Sequence, residues 1–373
     1  MEFTIPKKKL LECLNHFQSV VEKRNTIPIL SNIRIATDQQ NNELEITATD
    51  LAIELTEKLE ANIKIQGGIT LPSQLFFDIV RKAPEKSDIQ INKDEKNDLV
   101  YISFGESKFS VPTLPVDDFP VMDLNQLDTT IELESNSMKN LIDYSKFCMG
   151  LDESRQYLNG IFLHLTEANG RNFLTGVATD SHRLSSSSLE INNLENFSSI
   201  ILPRKTVFQL CSLLSEIPEK LKMQINENKI KFSFGKVKLI SKVIDGKFPD
   251  YKKVVPLDNK KVLEVSSKDF VDSIERVTSV SLDRKEGVKL NISKNDVQLS
   301  VNSANSGEGN EKINAKFNSE NLNISFNSKY LLDIASEIED KNIRMNFKDS
   351  ISPVLIEDVS DRNSYYVIMP MKI

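Results

Sequence analysis

The sequence predicts an α+β chain built from one unit used three times, each unit carrying a doubled strand–helix–strands pattern. Three observations support this. A short apolar run, then Pro or Asn, one or two polar residues and an amphipathic segment occurs at Leu71–Val80 (LPSQLFFDIV), Leu202–Leu214 (LPRKTVFQLCSLL) and Phe326–Ala335 (FNSKYLLDIA). The tripeptide Ala-Thr-Asp stands at Ala48–Asp50 and again at Ala178–Asp180, with Asn302–Ala304 in the third slot. Spacings of about 130, 129 and 124 residues between such anchors are those of a triple repeat.

In chain order, Phe3–Ile5 reads as a short strand, and Pro6 suits the first turn of a helix reaching about Val21. Leu10, Leu11, Leu14 and Phe17 supply its apolar stripe. Its counterparts are Met138–Met149 and Lys268–Val280, each following a strand of the type Ile131–Leu133 or Val262–Val265. Strands come next at Ile29–Ala36, Leu44–Ala48 and Ile53–Leu59, then Gly160–Leu165, Phe173–Ala178 and Leu184–Leu189, then Val288–Ile292, Val297–Val301 and Glu311–Phe317. The second helix of each unit is the LPRK-type segment; in the central copy Val207, Leu210, Cys211 and Leu214 fall on one face. Strands return at Ile89–Ile91, Val100–Phe104 and Lys108–Val111. Two units close on similar corners, Asp117–Pro120 (DDFP) and Gly246–Tyr251 (GKFPDY). Linkers fall near Asp123–Leu127 and Pro256–Lys260, giving domains 1–125, 126–256 and 257–373 with six helices in all.

The length of 373 residues suits two or three domains with real cores. No apolar run approaches membrane-spanning length, and MEFTIPKKKL lacks a signal-peptide core, so a cytoplasmic protein is expected. Cys13, Cys148 and Cys211, widely spaced on predicted helix faces, read as buried reduced thiols. A net charge of −7 argues against a protein that merely coats nucleic acid, yet the charge is unevenly spread. The first four helix windows are net positive and the last two net negative. Lys7, Lys8 and Lys9 open one helix, and Arg204 and Lys205 open another, against the helix dipole. An anion such as a phosphate would compensate; a solvated basic patch with no partner is the alternative.

Catalysis finds little support. Gly307-Glu308-Gly309 lacks the third glycine and helix of a phosphate loop. His16, His164 and His182 have no metal-ligand spacing, so neither metal nor cofactor is expected. Asp180-Ser181-His182 holds the residue types of a hydrolytic triad, but neighbours in one turn cannot adopt its geometry. At the other end, Tyr365–Ile373 (YYVIMPMKI) predicts a last strand with Val367 and Met369 on one face. Pro370 forces the chain out of the sheet, leaving Met371 and Ile373 to line an apolar groove suited to several partner peptides.

The repeat, with TIPILSNI at Thr26–Ile33, LPVDDFP at Leu114–Pro120, YLNGI at Tyr157–Ile161, ATDSHRL at Ala178–Leu184, DGKFPDY at Asp245–Tyr251 and YVIMPMKI at Tyr366–Ile373, resembles the bacterial sliding clamps, the beta subunits of DNA polymerase III. It covers essentially the whole chain. The resemblance implies a DNA-clamp fold, with helices on the inner face and antiparallel sheets outside. It implies a head-to-tail homodimer ring that encircles double-stranded DNA, slides without sequence specificity and catalyses nothing. The implied partners are the clamp-loader complex, the replicative polymerase catalytic subunit, and other polymerases and repair proteins carrying a clamp-binding peptide. A sequence-specific DNA-binding regulator is the alternative, and it would want a helix-turn-helix or zinc site that is not readable here. An enzyme on a repeated scaffold is a third reading.

By resemblance, Arg24, Arg155, Tyr157, Arg204 and Lys205 match DNA-contacting positions, to which the charge pattern adds Lys7, Lys8 and Lys9. The implied peptide pocket takes Leu158, Thr179, His182, Arg183, Leu184, Pro249, Val254, Asn327, Tyr330, Val367, Ile368, Met369, Pro370 and Met371. Departures from the family pattern are Ser181 where glycine is usual, Gln156 for an aromatic, Lys253 and Lys372 for arginines, and Pro353 after Ser352. They bear on peptide affinity. Ring closure should use an edge strand of the first domain, with Lys108–Val111 the candidate through Phe109 and Val111.

Overall fold

A computed structural model describes residues 1–22, 26–38, 40–94, 97–123, 129–191, 197–281, 287–303, 306–339, 341–361 and 363–372. Arg24, Ala304, Ile373 and most of the Asp123–Leu127 linker lie outside them. Six α-helices are seen among the described residues: α1 (Lys7–Phe17), α2 (Ser73–Lys82), α3 (Ser135–Lys146), α4 (Arg204–Glu216), α5 (Ser267–Thr278) and α6 (Ser328–Ser336). The repeated motif is a strand running straight into a helix. Strands Gly68–Pro72, Ile200–Pro203 and Leu322–Asn327 end one residue before α2, α4 and α6. Pro72 and Asn327 occupy N-cap positions, and the Asn327 side chain accepts from the Tyr330 N–H. Helix α1 stops at Phe17, short of Val21, and buries Leu10, Cys13, Leu14 and Phe17. Cys13, rather than Leu11, completes the i, i+3, i+4, i+7 stripe. Helix α3 begins at Ser135, three residues before the Met138 start read from its apolar pattern.

Contacts divide the chain into two compact units, Met1–Lys139 with Phe208–Val243, and Asn140–Val207 with Ile244–Ile373. The first contains a five-stranded antiparallel sheet in the order Asn62–Ile65, Glu2–Pro6, Asp88–Lys93, Leu99–Phe104, Ser107–Pro112. Its eight-stranded sheet runs Thr129–Leu133, Leu221–Ile225, Lys229–Phe234, Val237–Lys242, Ile53–Glu60, Glu43–Thr49, Asn32–Asp38, Gly68–Pro72. Helix α1 packs on α2. The joint between first-repeat and second-repeat strands is antiparallel, with Val237 opposite Glu57 and Leu239 opposite Leu55.

The second unit contains a twelve-stranded sheet. Its order is Ile200–Pro203, Gly160–Ala168, Arg171–Thr179, Arg183–Ile191, Ser364–Ile368, Val354–Asp358, Asn342–Phe347, Lys261–Ser266, Gly307–Phe317, Asp296–Ser303, Gly287–Ile292, Leu322–Asn327. Gly307-Glu308-Gly309 is therefore part of a strand. Again a second-repeat strand meets a third-repeat strand, with Arg183 opposite Ile368 and Ser187 opposite Ser364. Phe270, Ile274, Phe326, Leu331, Phe347 and Tyr366 anchor a core beneath α5 and α6. The three cysteines are buried and unbonded to one another, and burial holds the Cys13 and Cys148 thiols well above their ordinary pKa.

The repeat reaches atomic detail in the Ala-Thr-Asp turns. In the first, Thr49 Oγ1 donates to Ile53 O and accepts from Leu51 N, while Asp50 Oδ1 accepts from Ala52 N and Ile53 N. In the second, Thr179, Asp180, Ser181, His182 and Arg183 repeat every one of those bonds. Both turns force a residue with a Cβ into left-handed backbone, Leu51 at φ 74° and Ser181 at φ 77°. The hairpins Phe104–Ser107 and Phe234–Val237 also correspond, each with glycine second at φ 53°. Phe109 thus stands where Leu239 stands one repeat later. Leu239 is fully buried opposite Leu55, whereas Phe109, stacked on Phe104 at 5.5 Å, is 38% exposed. Val111 is buried and faces inward, so it is not part of an exposed edge surface as read from sequence.

Candidate partner cavity and nucleic-acid face

The second unit holds a cavity of about 200 Å³, walled by the Ala-Thr-Asp turn, the Gly246–Tyr251 corner and the last strand. Nine residues anticipated from sequence line it: Leu158, Thr179, His182, Arg183, Leu184, Pro249, Val254, Val367 and Met369. Ser181, Asp250 and Tyr251 complete the lining. Alternation along the final strand explains two of these. Val367 and Met369 look into the cavity, whereas Ile368 between them is fully buried in the neighbouring core and is not a lining residue. The strand ends at Ile368; Met369 N then donates to His182 O, and after Pro370 the Met371 N–H donates to Ser325 O. Pro370 and Met371 therefore leave the sheet as expected, but they stand outside the cavity lining. So do Asn327, whose side chain is spent capping α6, and Tyr330, which stacks on His182 at 6.0 Å.

Arg183 lines the cavity as anticipated, with its guanidinium turned to internal partners. Its guanidinium donates to Asp180 Oδ2 at 3.1 Å, Asp333 Oδ2 at 2.6 Å and Phe147 O at 2.7 Å. It also lies over the rings of Tyr330 and Phe147, at 4.4 and 5.3 Å. Those donors are engaged internally, so Arg183 braces the turn against α6 and the residue that follows α3. Lys253, by contrast, is highly exposed and pairs with Asp250 at 3.0 Å. Asp180 and His182 are no catalytic pair: the Asp180 carboxylate accepts backbone N–H groups of the turn. Among the described residues no group of three or more His, Cys, Asp or Glu is arranged to hold a metal ion.

Beneath the cavity lies an aromatic stack that sequence reading missed, although Phe248 and Tyr251 belong to the GKFPDY corner. Phe162 stacks on Phe248 at 4.8 Å and on His164 at 4.5 Å, and His164 Nε2 is 3.0 Å from Tyr251 Oη. Burial first, then the charge of Lys252, depresses His164 to about 4. A histidine that stays neutral when folded contributes stability above its unfolded pKa of about 6.5, lost as the pH falls toward about 4. His16 has the opposite sign. Burial pushes it down, but Glu57, 2.7 Å from Nδ1, and Glu216, 3.0 Å from Nε2, outweigh that and raise it. Its contribution is present below about pH 6.5 and lost as the pH rises through the raised value. Histidine NMR titration should therefore show one ring titrating near pH 4 and another above its ordinary range. All three rings titrating in the ordinary range would contradict both environments.

The basic candidates divide. Lys7 is buried, and its ammonium donates to Ala83 O at the end of α2, so it is not the surface cation read from the charge run. Lys8 and Lys9 are exposed; Lys8 lies 4.0 Å from Glu12 and Lys9 is 3.3 Å from Glu60. Arg155 and Tyr157 sit on a 3₁₀ segment, Glu153–Leu158. Arg204 and Lys205 open α4, and the Arg204 N–H donates to Asn159 O, bringing that helix start beside the segment. Asp152 Oδ2 accepts from Arg155 Nε at 2.9 Å. Bonds from the Ser154 hydroxyl and N–H, and then from Arg155, hold the Asp152 carboxyl down at about 2. Arg155 Nη1 donates onward to Ser181 Oγ at 2.7 Å.

Models of the DNA polymerase III beta subunit match the chain in three parts: the N-terminal domain at residues 1–123, the central domain at 132–250 and the C-terminal domain at 252–372. The chain belongs to the DNA polymerase III beta subunit family. It is 36% identical to the beta sliding clamp of Caulobacter vibrioides and 34% identical to that of Escherichia coli, over all of both chains in each case. Among solved structures it is similar to the DnaN sliding clamp of Bartonella birtlesii bound to griselimycin, at TM-score 0.96 and 38% identity, and to the sliding clamp of Caulobacter crescentus, at 0.94 and 36%, each covering all of both chains. As a member of this family the chain is a sliding clamp of DNA polymerase III with the three-domain clamp fold, mixing helices and antiparallel sheets.

Proposed function

We propose that two copies close head to tail into a ring around duplex DNA, and that the ring tethers polymerases, the clamp loader and repair proteins through the cavity. The observation that carries the ring is a pairing rule repeated within the chain. Strand Ile53–Glu60 of the first repeat pairs with Val237–Lys242 of the second, and Arg183–Ile191 of the second pairs with Ser364–Ile368 of the third. The same rule leaves two counterparts: strand Ser107–Pro112, at a sheet edge, and the first part of Gly307–Phe317, which pairs on one side only up to Asn314. Joining those edges between copies satisfies the rule throughout and removes both open ladders. Domains 1–125, 126–256 and 257–373 are the corresponding units, in keeping with the repeat spacing.

Lys8, Lys9, Arg24, Arg155, Tyr157, Arg204 and Lys205 are assigned to DNA contact. Contacts confined to phosphates carry no sequence information, which suits sliding and disfavours a sequence-specific regulator. The cavity walls formed by Leu158, Leu184, Pro249, Val254, Val367 and Met369 suit apolar side chains of a short peptide, and griselimycin is a usable probe of them. After loading by an active cognate clamp loader, the protein should stay on closed circular DNA at high salt and be lost when the circle is cut. Equal, salt-sensitive loss from both forms would mean ordinary phosphate binding and would remove the ring.

A further inference from the structure

We propose that Ser181 couples the cavity to the DNA-contacting residues, so that filling one tightens binding at the other; this rests on the cavity and DNA assignments just made. Ser181 has two faces. It lines the cavity, and its hydroxyl accepts from Arg155 Nη1 at 2.7 Å. Arg155 is otherwise anchored by Asp152 through Nε, so two acceptors fix the plane of a guanidinium that is 40% exposed. The segment carrying Arg155 also contributes Leu158 to the cavity wall. At φ 77° Ser181 occupies a strained turn that is held by Thr179 Oγ1, which accepts its N–H. A ligand pressing on this wall immobilises Ser181, and through it the Arg155 fork, before any phosphate arrives. The ordering cost is then met once for two binding events, which is positive cooperativity. Linkage requires the effect to be mutual.

The test uses the full-length protein, griselimycin and a short blunt-ended duplex at low salt. Saturating griselimycin should tighten duplex binding by about five-fold or more, and saturating duplex should tighten griselimycin binding by the same factor. Ser181→Gly removes the acceptor while suiting the backbone, so the factor should fall to one. Ser181→Asn, which tolerates left-handed backbone and offers a carbonyl oxygen, should restore it. The readout is a ratio of affinities, indifferent to a change in either alone. Both ligands binding independently, or antagonistically, would overturn the coupling and leave the two sites standing. Failure of griselimycin to bind the unaltered protein would overturn the cavity assignment and the coupling together. Unchanged coupling in Ser181→Gly would transfer it to some other path and overturn the role of Ser181.

Discussion

Arg183→Ala should cost about 3–5 kcal/mol of stability, the range for removing one partner of a buried ion pair. The guanidinium satisfies two carboxylates and the Phe147 carbonyl, and it fills the space between the Phe147 and Tyr330 rings. Truncation leaves Asp180 and Asp333 near each other without their shared cation, and the Asp180 turn loses its brace to α6 and the residue that follows α3. Arg183→Lys keeps the charge but not the fork, and should recover less than half of the loss. Arg183→Met, which fills the space without charge, separates packing from ionic contributions. Urea unfolding of the three variants checks the order. A loss below about 1 kcal/mol for the alanine variant would mean that water takes over these contacts.

In the proposed ring, Phe109→Glu should leave monomers of 42.3 kDa in sedimentation experiments where the unaltered protein sediments as a dimer, and abolish retention on closed circles. The side chain lies on an outermost strand, at the position whose repeat counterpart is buried by a cross-repeat partner. Introducing a charge there removes apolar contact and adds a desolvation cost on every closure. Val111 is unsuitable for this purpose, because it is buried in its own sheet and a charge there would unfold the domain. Ile65→Glu is the matched control: Ile65 is 54% exposed on the opposite edge strand of the same sheet, and the variant should remain dimeric. An unchanged mass for Phe109→Glu would locate the interface elsewhere.

The architecture was legible wherever residues act through backbone geometry. Strand-to-helix joints at Pro72, Pro203 and Asn327, and turns built on Thr49-Asp50 and Thr179-Asp180, need particular side chains at fixed offsets, so repetition shows in the letters. Cavity walls followed from strand alternation at Val367 and Met369. Side-chain reach did not show. Lys7 counts as a surface charge until its chain is seen folding back onto the Ala83 carbonyl, and nothing in the letters around Arg183 points to its partners Asp333 and Phe147. Both cases have one cause: a long flexible side chain chooses its partner in three dimensions, and local spacing carries no record of the choice. His164 was invisible as a site element because its hydrogen-bond partner, Tyr251, lies 87 residues downstream.

The pairing of Ile53–Glu60 with Val237–Lys242 also sets a timetable for synthesis. The earlier strand leaves the ribosome about 180 residues before its neighbour, a delay of roughly ten to forty seconds at ~5–20 residues per second. Throughout that interval the nascent chain displays an unfinished ladder carrying Ile53 and Leu55, a template for any passing strand. Translation pauses before residue 242, or premature termination there, should therefore yield aggregates rather than a soluble first domain, and the cell must either shield this edge or translate through it quickly.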